Sequence, residues 1–325
     1  MYYFIFIGFF STIFLSGCLP SKDRSDASGH VAISDVLGNA QRCQQYTGLP
    51  DAWPHHKDAG MINIPAGHLS IGNNQSYPEE KALYQKTQEI SAFLMDATEV
   101  TNAQFEYFVQ QTGYITEAEQ QGEAAVFKVP EQATAQLTWW SLEKDASWRF
   151  PAGKHKQQPI QPHQPVRMIT LKDAMAYAQW LGHDLPTEQQ WEYAAKAGQS
   201  QDTTSNQAHI HANIWQGTFP YENQEKDGYA GVAPVGCFEP NAFGLYDMIG
   251  NVWEYTQTPF LGSHDDHMGV QKLNIEKTKN LYTIKGGSYL CAQNYCQRYR
   301  AAARHPQEID LAISHVGFRT VKNLK

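Results

Sequence analysis

"KGGSYLCAQNYCQRYRAAAR", residues 285–304, carries the pattern that decides the chain. Two cysteines, Cys291 and Cys296, follow a Gly286-Gly287-Ser288 turn and precede Arg298, Arg300 and Arg304. The spacing is C-x-x-x-x-C, so the pair is not a C-x-x-C redox motif. Two thiols this close can form a small disulfide or a buried inert pair. Zinc needs four protein ligands, or three and a water, and only His305 and His315 lie nearby in sequence. The neighbouring arginines favour thiolate over thiol. Two thiolates without a third ligand suit the soft monovalent ion Cu(I). Spacing alone leaves these readings open.

The N-terminus sets the redox context. "MYYFIFIGFFSTIFLSGCLP" begins with an apolar run from Tyr2 to Leu15. That run is short for a membrane span and suits a signal segment. Leu15-Ser16-Gly17-Cys18 resembles a bacterial lipobox, so residues 1–17 are expected to be a lipoprotein signal peptide and Cys18 the lipidated residue. The absence of Lys or Arg before the run departs from that pattern, and an uncleaved anchor is the other reading. Either one exports the chain to the cell envelope, with the periplasmic face expected. Residues 18–58 read as a tether and N-terminal extension, and residues 59–325 as the domain. Export permits disulfides. With Cys18 set aside, Cys43, Cys237, Cys291 and Cys296 remain, and four cysteines allow three pairings.

Composition narrows the function classes. The net charge of −8 comes without a basic stripe, which speaks against nucleic-acid binding. Apolar residues make up 42%, enough for a sizeable core. Met61 to Gly72 reads as two short strands about a Pro/Gly turn, and Glu89 to Met95 as one more. Three helices are marked by hydroxyl caps: Thr101 with Gln104, Thr170 with Asp173, and Thr187 with Gln190. Gly182 and Gly198 are expected to close the second and third. The Trp- and Pro-rich stretch from Val126 to Val166 reads as a long ordered loop. The whole is an α+β chain low in regular structure. Two acidic loops stand out, with Asn213 and Asp227 in one and Asp247 and Glu254 in the other. Their oxygens read either as turn formers or as calcium ligands.

Taken together, the segments resemble the formylglycine-generating enzyme (sulfatase-modifying factor) family. "KGGSYLCAQNYCQRYRAAAR" and "SHVGFRTVK" match its C-terminal signature. "MINIPAGHLSIG", "FLMDATEVTNAQFEYFVQQTGYITEAE", "WRFPAG", "HQPVRMITLKDAMAYAQWLGHDLPTEQQWEYAAKAG", "ANIWQGTFP" and "NAFGLYDMIGNVWEY" occur in the family's order. The resemblance implies a single compact α+β domain, distantly like C-type lectins and stabilised by calcium.

It also implies an activity. The family oxidises a cysteine within a C-x-P-x-R segment of an unfolded or nascent sulfatase to formylglycine, using O₂ and copper. Here Cys291 and Cys296 would hold Cu(I), Ser288 would stand beside the reacting centre and Trp253 would wall the pocket. One calcium site would use Asn213, Ile214, Asp227 and Tyr229. A second would use Asp247, Gly250, Val252 and Glu254, with Asp247 standing where some relatives carry Asn. Ala178, Ala195, Ala301 and Thr320 occupy positions of disulfides found in relatives from oxidising compartments, so those bridges are missing as whole pairs. Cys43 and Cys237 are additional, and either pair with each other or leave Cys43 free. A monomer is expected.

Two other readings use the same fold. One is a lectin-like binding or assembly module without chemistry, and the cysteine pair speaks against it. The other is an iron-dependent sulfur-transfer enzyme like those of thiohistidine synthesis. Such enzymes carry a histidine-rich helical domain, whereas this chain offers only adjacent His55 and His56 there.

Overall fold

A computed structural model describes residues 1, 36–73, 77–82, 87–130, 139–156, 159–199, 211–262 and 280–324. Cys18, the expected signal segment and residues 18–35 of the expected tether lie outside the described residues. From residue 36 onward the described residues belong to one unit. Among them no helix is long and apolar enough to cross a membrane.

The helices are short and capped as the sequence predicts. In α1 (Asn102–Thr112), Thr101 accepts from the Gln104 amide while the Gln104 side chain accepts from the Thr101 amide. A brief α2 (Glu117–Gln121), not anticipated, is closed in the same way by Thr116 and Glu119. The reciprocal cap recurs in α3 (Leu171–Leu181) and α4 (Glu188–Ala195). Each such cap satisfies backbone donors that a helix start otherwise leaves open. Gly182 ends α3 in the left-handed conformation. The end of α4 differs from expectation: Lys196 caps it, and Ala197 and Gly198 turn left-handed beyond it.

The strands are β1 (Met61–Ile64), β2 (Gly67–Ser70), β3 (Thr87–Ile90), β4 (Phe93–Asp96), β5 (Glu123–Phe127) and β6 (Trp140–Lys144). They continue with β7 (Trp253–Pro259), β8 (Leu281–Lys285), β9 (Arg304–Glu308), β10 (Val316–Gly317) and β11 (Val321–Asn323). The sheet behind the site runs β10-β7-β8-β9, with β10 parallel to β7 and the other pairs antiparallel. A second sheet is β1-β4-β11, and β2-β3 and β5-β6 form separate ladders.

Two expectations are corrected. Glu89 to Met95 is not one strand, because β3 and β4 join different partners. Ile90 and Phe93 are both buried. An odd spacing cannot keep two residues on one face of a continuous strand, so Ser91 and Ala92 reset the phase. The stretch from Val126 is not loop throughout either. Phe127 pairs with Trp140 across the β5-β6 ladder, and their rings meet edge to face at 5.8 Å.

The core beneath the site is aromatic. Phe105 and Phe108 of α1 meet Tyr177 of α3, and Trp148 packs edge-on to Phe105 at 5.2 Å. Residues 36–58, assigned to the N-terminal extension, are folded onto this body. Trp53 is buried in the aromatic core. Val36 and Tyr46 pack with Val235, and a disulfide joins Cys43 to Cys237.

Candidate active site

The β8 strand delivers the chain to Gly286 and Gly287, both at positive φ. A side chain on Gly287 would reach within 2.6 Å of the Arg298 carbonyl oxygen. Glycine there lets the Ser288 turn fold against the segment that follows Cys296. The Cys291 amide donates to the Ser288 carbonyl at 2.8 Å, and the Cys296 amide to the Ala292 carbonyl at 3.1 Å. These turns bring both thiols to one place.

Cys291 and Cys296 are not bonded to each other, and their sulfurs stand 3.4 Å apart. Burial pushes the Cys291 thiol well up, so it keeps its proton and donates to Cys296. That hydrogen bond, with Arg298 beside it, holds the Cys296 thiol down to about 6. The Arg298 guanidinium stands 3.9 Å from the Cys296 sulfur and is braced by Glu79 at 2.8 Å and by the Tyr77 ring. In the metal-free state the pair therefore shares one negative charge and one proton.

The thiols lie in a cavity of about 400 Å³. Trp139, Trp140, Phe219, Tyr295 and Trp253 supply aromatic wall, and Ser288, Arg298, Gln307, His305 and His315 supply polar atoms. Phe219 and Tyr295 stack at 4.7 Å, and Trp139 meets Tyr295 edge to face. Ser288 Oγ accepts from the Leu290 amide at 3.3 Å and lies 3.4 Å from His315 Nδ1. Which of Ser288 Oγ and His315 Nδ1 donates is set by the tautomer of the imidazole. Burial pushes His315 down to about 3, so it is neutral. His305 lies 2.8 Å from the Pro306 carbonyl through Nδ1. This fixes the proton on Nδ1 and leaves Nε2 as an acceptor.

Ser288, Trp253, Cys291 and Cys296, named from the sequence, thus line one cavity. Sequence reasoning weighed His305 and His315 only as zinc ligands and missed them as cavity walls. Among the described residues no three His, Cys, Asp or Glu side chains converge on a metal-sized point. A metal at the pair would take the two sulfurs from this chain, a donor set that suits a soft monovalent ion.

The first acidic loop closes on itself. Asp227 accepts from the Ile214 amide at 3.3 Å and the Tyr229 amide at 3.0 Å. Asn213 donates to the Gly231 carbonyl at 2.8 Å and to Asn251 at 3.1 Å. Asp227 is thus tied to Ile214 and Tyr229 through their amides, while Asn213 is tied to Gly231 and Asn251. In the second loop, Asp247, Gly250 and Asn251 all have positive φ. Asp247 accepts from the Gly236 amide. Glu254 is bound at both oxygens, by Arg319 at 2.7 and 2.8 Å and by the Trp191 indole at 2.7 Å. Nothing in the sequence marked Arg319 as a neighbour of this loop, nor Glu99, whose Oε1 accepts from Asn251 Nδ2 at 3.0 Å.

Comparison with known proteins agrees with the geometry. The sulfatase-modifying factor enzyme 1-like domain matches residues 47–324. The formylglycine-generating enzyme of Mycobacterium tuberculosis is 38% identical over 291 residues, covering 80% of this chain and 97% of that protein. The Bos taurus enzyme of the same name is 38% identical, covering 80% of this chain and 73% of that protein. The inactive C-alpha-formylglycine-generating enzyme 2 of Mus musculus is 30% identical, covering 82% and 86%. Among solved structures, PvdO from Pseudomonas aeruginosa shares the fold with a TM-score of 0.56 at 22% identity, covering 82% of this chain and 96% of that one. With the match spanning nearly the whole described fold, the chain belongs to the sulfatase-modifying factor enzyme 1-like (FGE-sulfatase) family.

Proposed function

We propose that this protein converts a cysteine of a sulfatase, within a C-x-P-x-R segment, to formylglycine, using copper and O₂. One observation carries the reading: two free thiols 3.4 Å apart on the wall of an aromatic cavity, in a domain of this family. Relatives named as inactive share the fold, so the fold alone does not imply chemistry. The thiol pair is what favours the enzyme over a lectin-like module.

Cys291 and Cys296 would hold Cu(I), which when bound supplies the redox chemistry with O₂. The chain's own residues do the rest. The aromatic walls exclude water and give an extended peptide flat surfaces to lie on. Arg298 stabilises negative charge on Cys296 and favours a second thiolate arriving from the substrate. Ser288 Oγ, held by the Leu290 amide and in contact with His315, sets a polar atom in the cavity wall that the two cysteines share. Overall the substrate CH₂–SH becomes CHO, with its C–S bond broken and sulfide released. O₂ takes two electrons from the cysteine and two more, with two protons, from an external thiol reductant, giving water.

Calcium would brace the loop of Asn213, Ile214, Asp227 and Tyr229 and the loop of Asp247, Gly250, Val252 and Glu254. Cys18 would carry the lipid anchor and place a monomeric enzyme at the cell envelope, where an exported sulfatase passes before it folds. The reading is tested by loading the reduced full chain with one equivalent of Cu(I) and following a C-x-P-x-R peptide in air and under argon. Conversion that needs both copper and air supports it. Conversion by the metal-free protein contradicts the copper assignment, and tight copper binding without conversion contradicts the reaction.

A further inference from the structure

A substrate cysteine enters the cavity as a thiol, and at neutral pH only about 3% of an ordinary thiol is ionised. It must shed its proton to join the sulfurs of Cys291 and Cys296 as a thiolate. A cavity of about 400 Å³ holds one peptide segment, so the groups on its wall face the same guest.

Most of that polar wall cannot take a proton. Arg298 is a permanent cation clamped by Glu79. Gln307 donates through Nε2 to the Glu308 and Leu311 carbonyls at 3.3 and 3.2 Å and has no basic nitrogen. Ser288 Oγ is engaged by the Leu290 amide and by His315 Nδ1. Burial holds His315 down to about 3, so it stays unprotonated at neutral pH. Cys291 and Cys296 are committed as metal ligands under the proposed function.

His305 differs from all of these. It stands on β9, exposed to solvent, with its ring 5.8 Å from that of Trp253. Both rings line the cavity with the thiols. His305 Nδ1 lies 2.8 Å from the Pro306 carbonyl, which can only accept, so the ring proton sits on Nδ1 and the lone pair on Nε2. Surrounding protein first, and Arg298 second, lower the basicity of His305, while Glu79 opposes them. The other titratable groups on the cavity wall are His315, Tyr295 and the two cysteines. His305 is thus neutral at neutral pH, with an open acceptor and a path for a proton to solvent.

We propose that His305 is the catalytic base that takes the proton of the substrate thiol. The inference rests on the cysteine-oxidising reading of this cavity and deepens it. The substrate S–H bond breaks and an Nε2–H bond forms. Sulfur keeps the electron pair, the imidazole gains the positive charge, and no electron is transferred. The step runs uphill between a free thiol and an imidazole, and capture of the thiolate beside the cysteine pair draws it forward. Solvent at the exposed ring then removes the proton.

The test compares the full chain as wild type and as His305→Asn. The Asn amide can still donate to the Pro306 carbonyl but supplies no base, and matching thermal melts check that the variant folds. In metal-free wild type, NMR of the side-chain nitrogens should place the His305 proton on Nδ1, with Nε2 titrating below the ordinary histidine midpoint. With copper loaded, kcat/KM for a C-x-P-x-R peptide is followed across pH of about 6 to 9.5. Without the base only peptide that is already ionised reacts. His305→Asn should therefore be about thirtyfold slower at pH of about 7, with the gap closing above pH of about 9. A structural role would give a loss that stays constant with pH, and that result would overturn the proposal. So would equal rates at neutrality, or a His305 proton found on Nε2. If wild type converts no peptide at any pH, the cysteine-oxidising reading itself fails and the base falls with it.

Discussion

The Cys296 sulfur accepts a hydrogen bond from the Cys291 thiol at 3.4 Å, with the Arg298 guanidinium 3.9 Å away on the other side. This makes the two cysteines chemically unequal before any metal arrives. Cys296 is held down to about 6, and burial pushes Cys291 up. A lowered thiol pKa fills the thiolate earlier as pH rises. In reduced, metal-free protein, alkylation of Cys296 should therefore climb through pH of about 6 and be near its plateau at neutrality. Site-resolved mass spectrometry after a timed iodoacetamide pulse measures this. A rate still rising steeply between neutral pH and the ordinary thiol range would contradict the arrangement.

Arg298 owes its position to Glu79 and the Tyr77 ring. Replacing Arg298 with Ala removes the cation and should move the Cys296 midpoint upward. Glu79→Gln should move it the same way by less, because the stacking on Tyr77 remains. An unchanged midpoint in Arg298→Ala would leave the Cys291 hydrogen bond and the backbone amide of residue 298 as the causes.

His315 is pushed down to about 3 by burial, with His305 adding to the effect. Its ring should stay neutral across the physiological range. NMR of the side-chain nitrogens should show no titration of His315 above pH of about 5. A midpoint near that of a free histidine would mean that the ring is more hydrated than its surroundings here allow.

These features differ in how far the sequence revealed them. The helix starts were legible because a capping box is local: Thr170 and Asp173 complete each other within one turn. The Cys291–Cys296 motif was legible as a pattern, but its state was not, since a disulfide and a hydrogen-bonded pair share one spacing. The β5-β6 ladder was hidden because the register of Phe127 with Trp140 joins residues across a gap that no local signal bridges. The break at Ser91 was readable in hindsight from Ile90 and Phe93, whose odd spacing cannot lie on one strand face. Glu99 carried no signal, because its hydrogen-bond partner Asn251 is distant in the chain. The Cys43–Cys237 bridge was one of two options left open, and the packing of Val36, Tyr46 and Val235 around it decided between them.

That bridge closes a very long stretch of chain. Its removal in a Cys43→Ala, Cys237→Ala double variant should cost about 2–4 kcal/mol of unfolding free energy, mainly by freeing the unfolded chain. Urea denaturation of both proteins measures the difference. A change within error would show that the packing around Val235 holds the segment without the bond.

Arg319 joins Glu254 to the carbonyls of Asp96, Ala97 and Tyr246. Arg319→Ala strands a buried carboxylate and should destabilise by about 3–5 kcal/mol. The loss is measurable in the same denaturation experiment. A loss below about 1 kcal/mol would mean that Glu254 had found another donor or a proton.

The central claim is that the Cys291–Cys296 pair turns a substrate cysteine into an aldehyde. Its most direct test follows a C-x-P-x-R peptide by mass spectrometry with copper-loaded wild type, Cys291→Ser and Cys296→Ser, each checked for native melting behaviour. The account predicts an aldehyde that an aminooxy reagent captures with wild type, and none above background with either variant. A folded serine variant that forms the aldehyde as fast as wild type would contradict it.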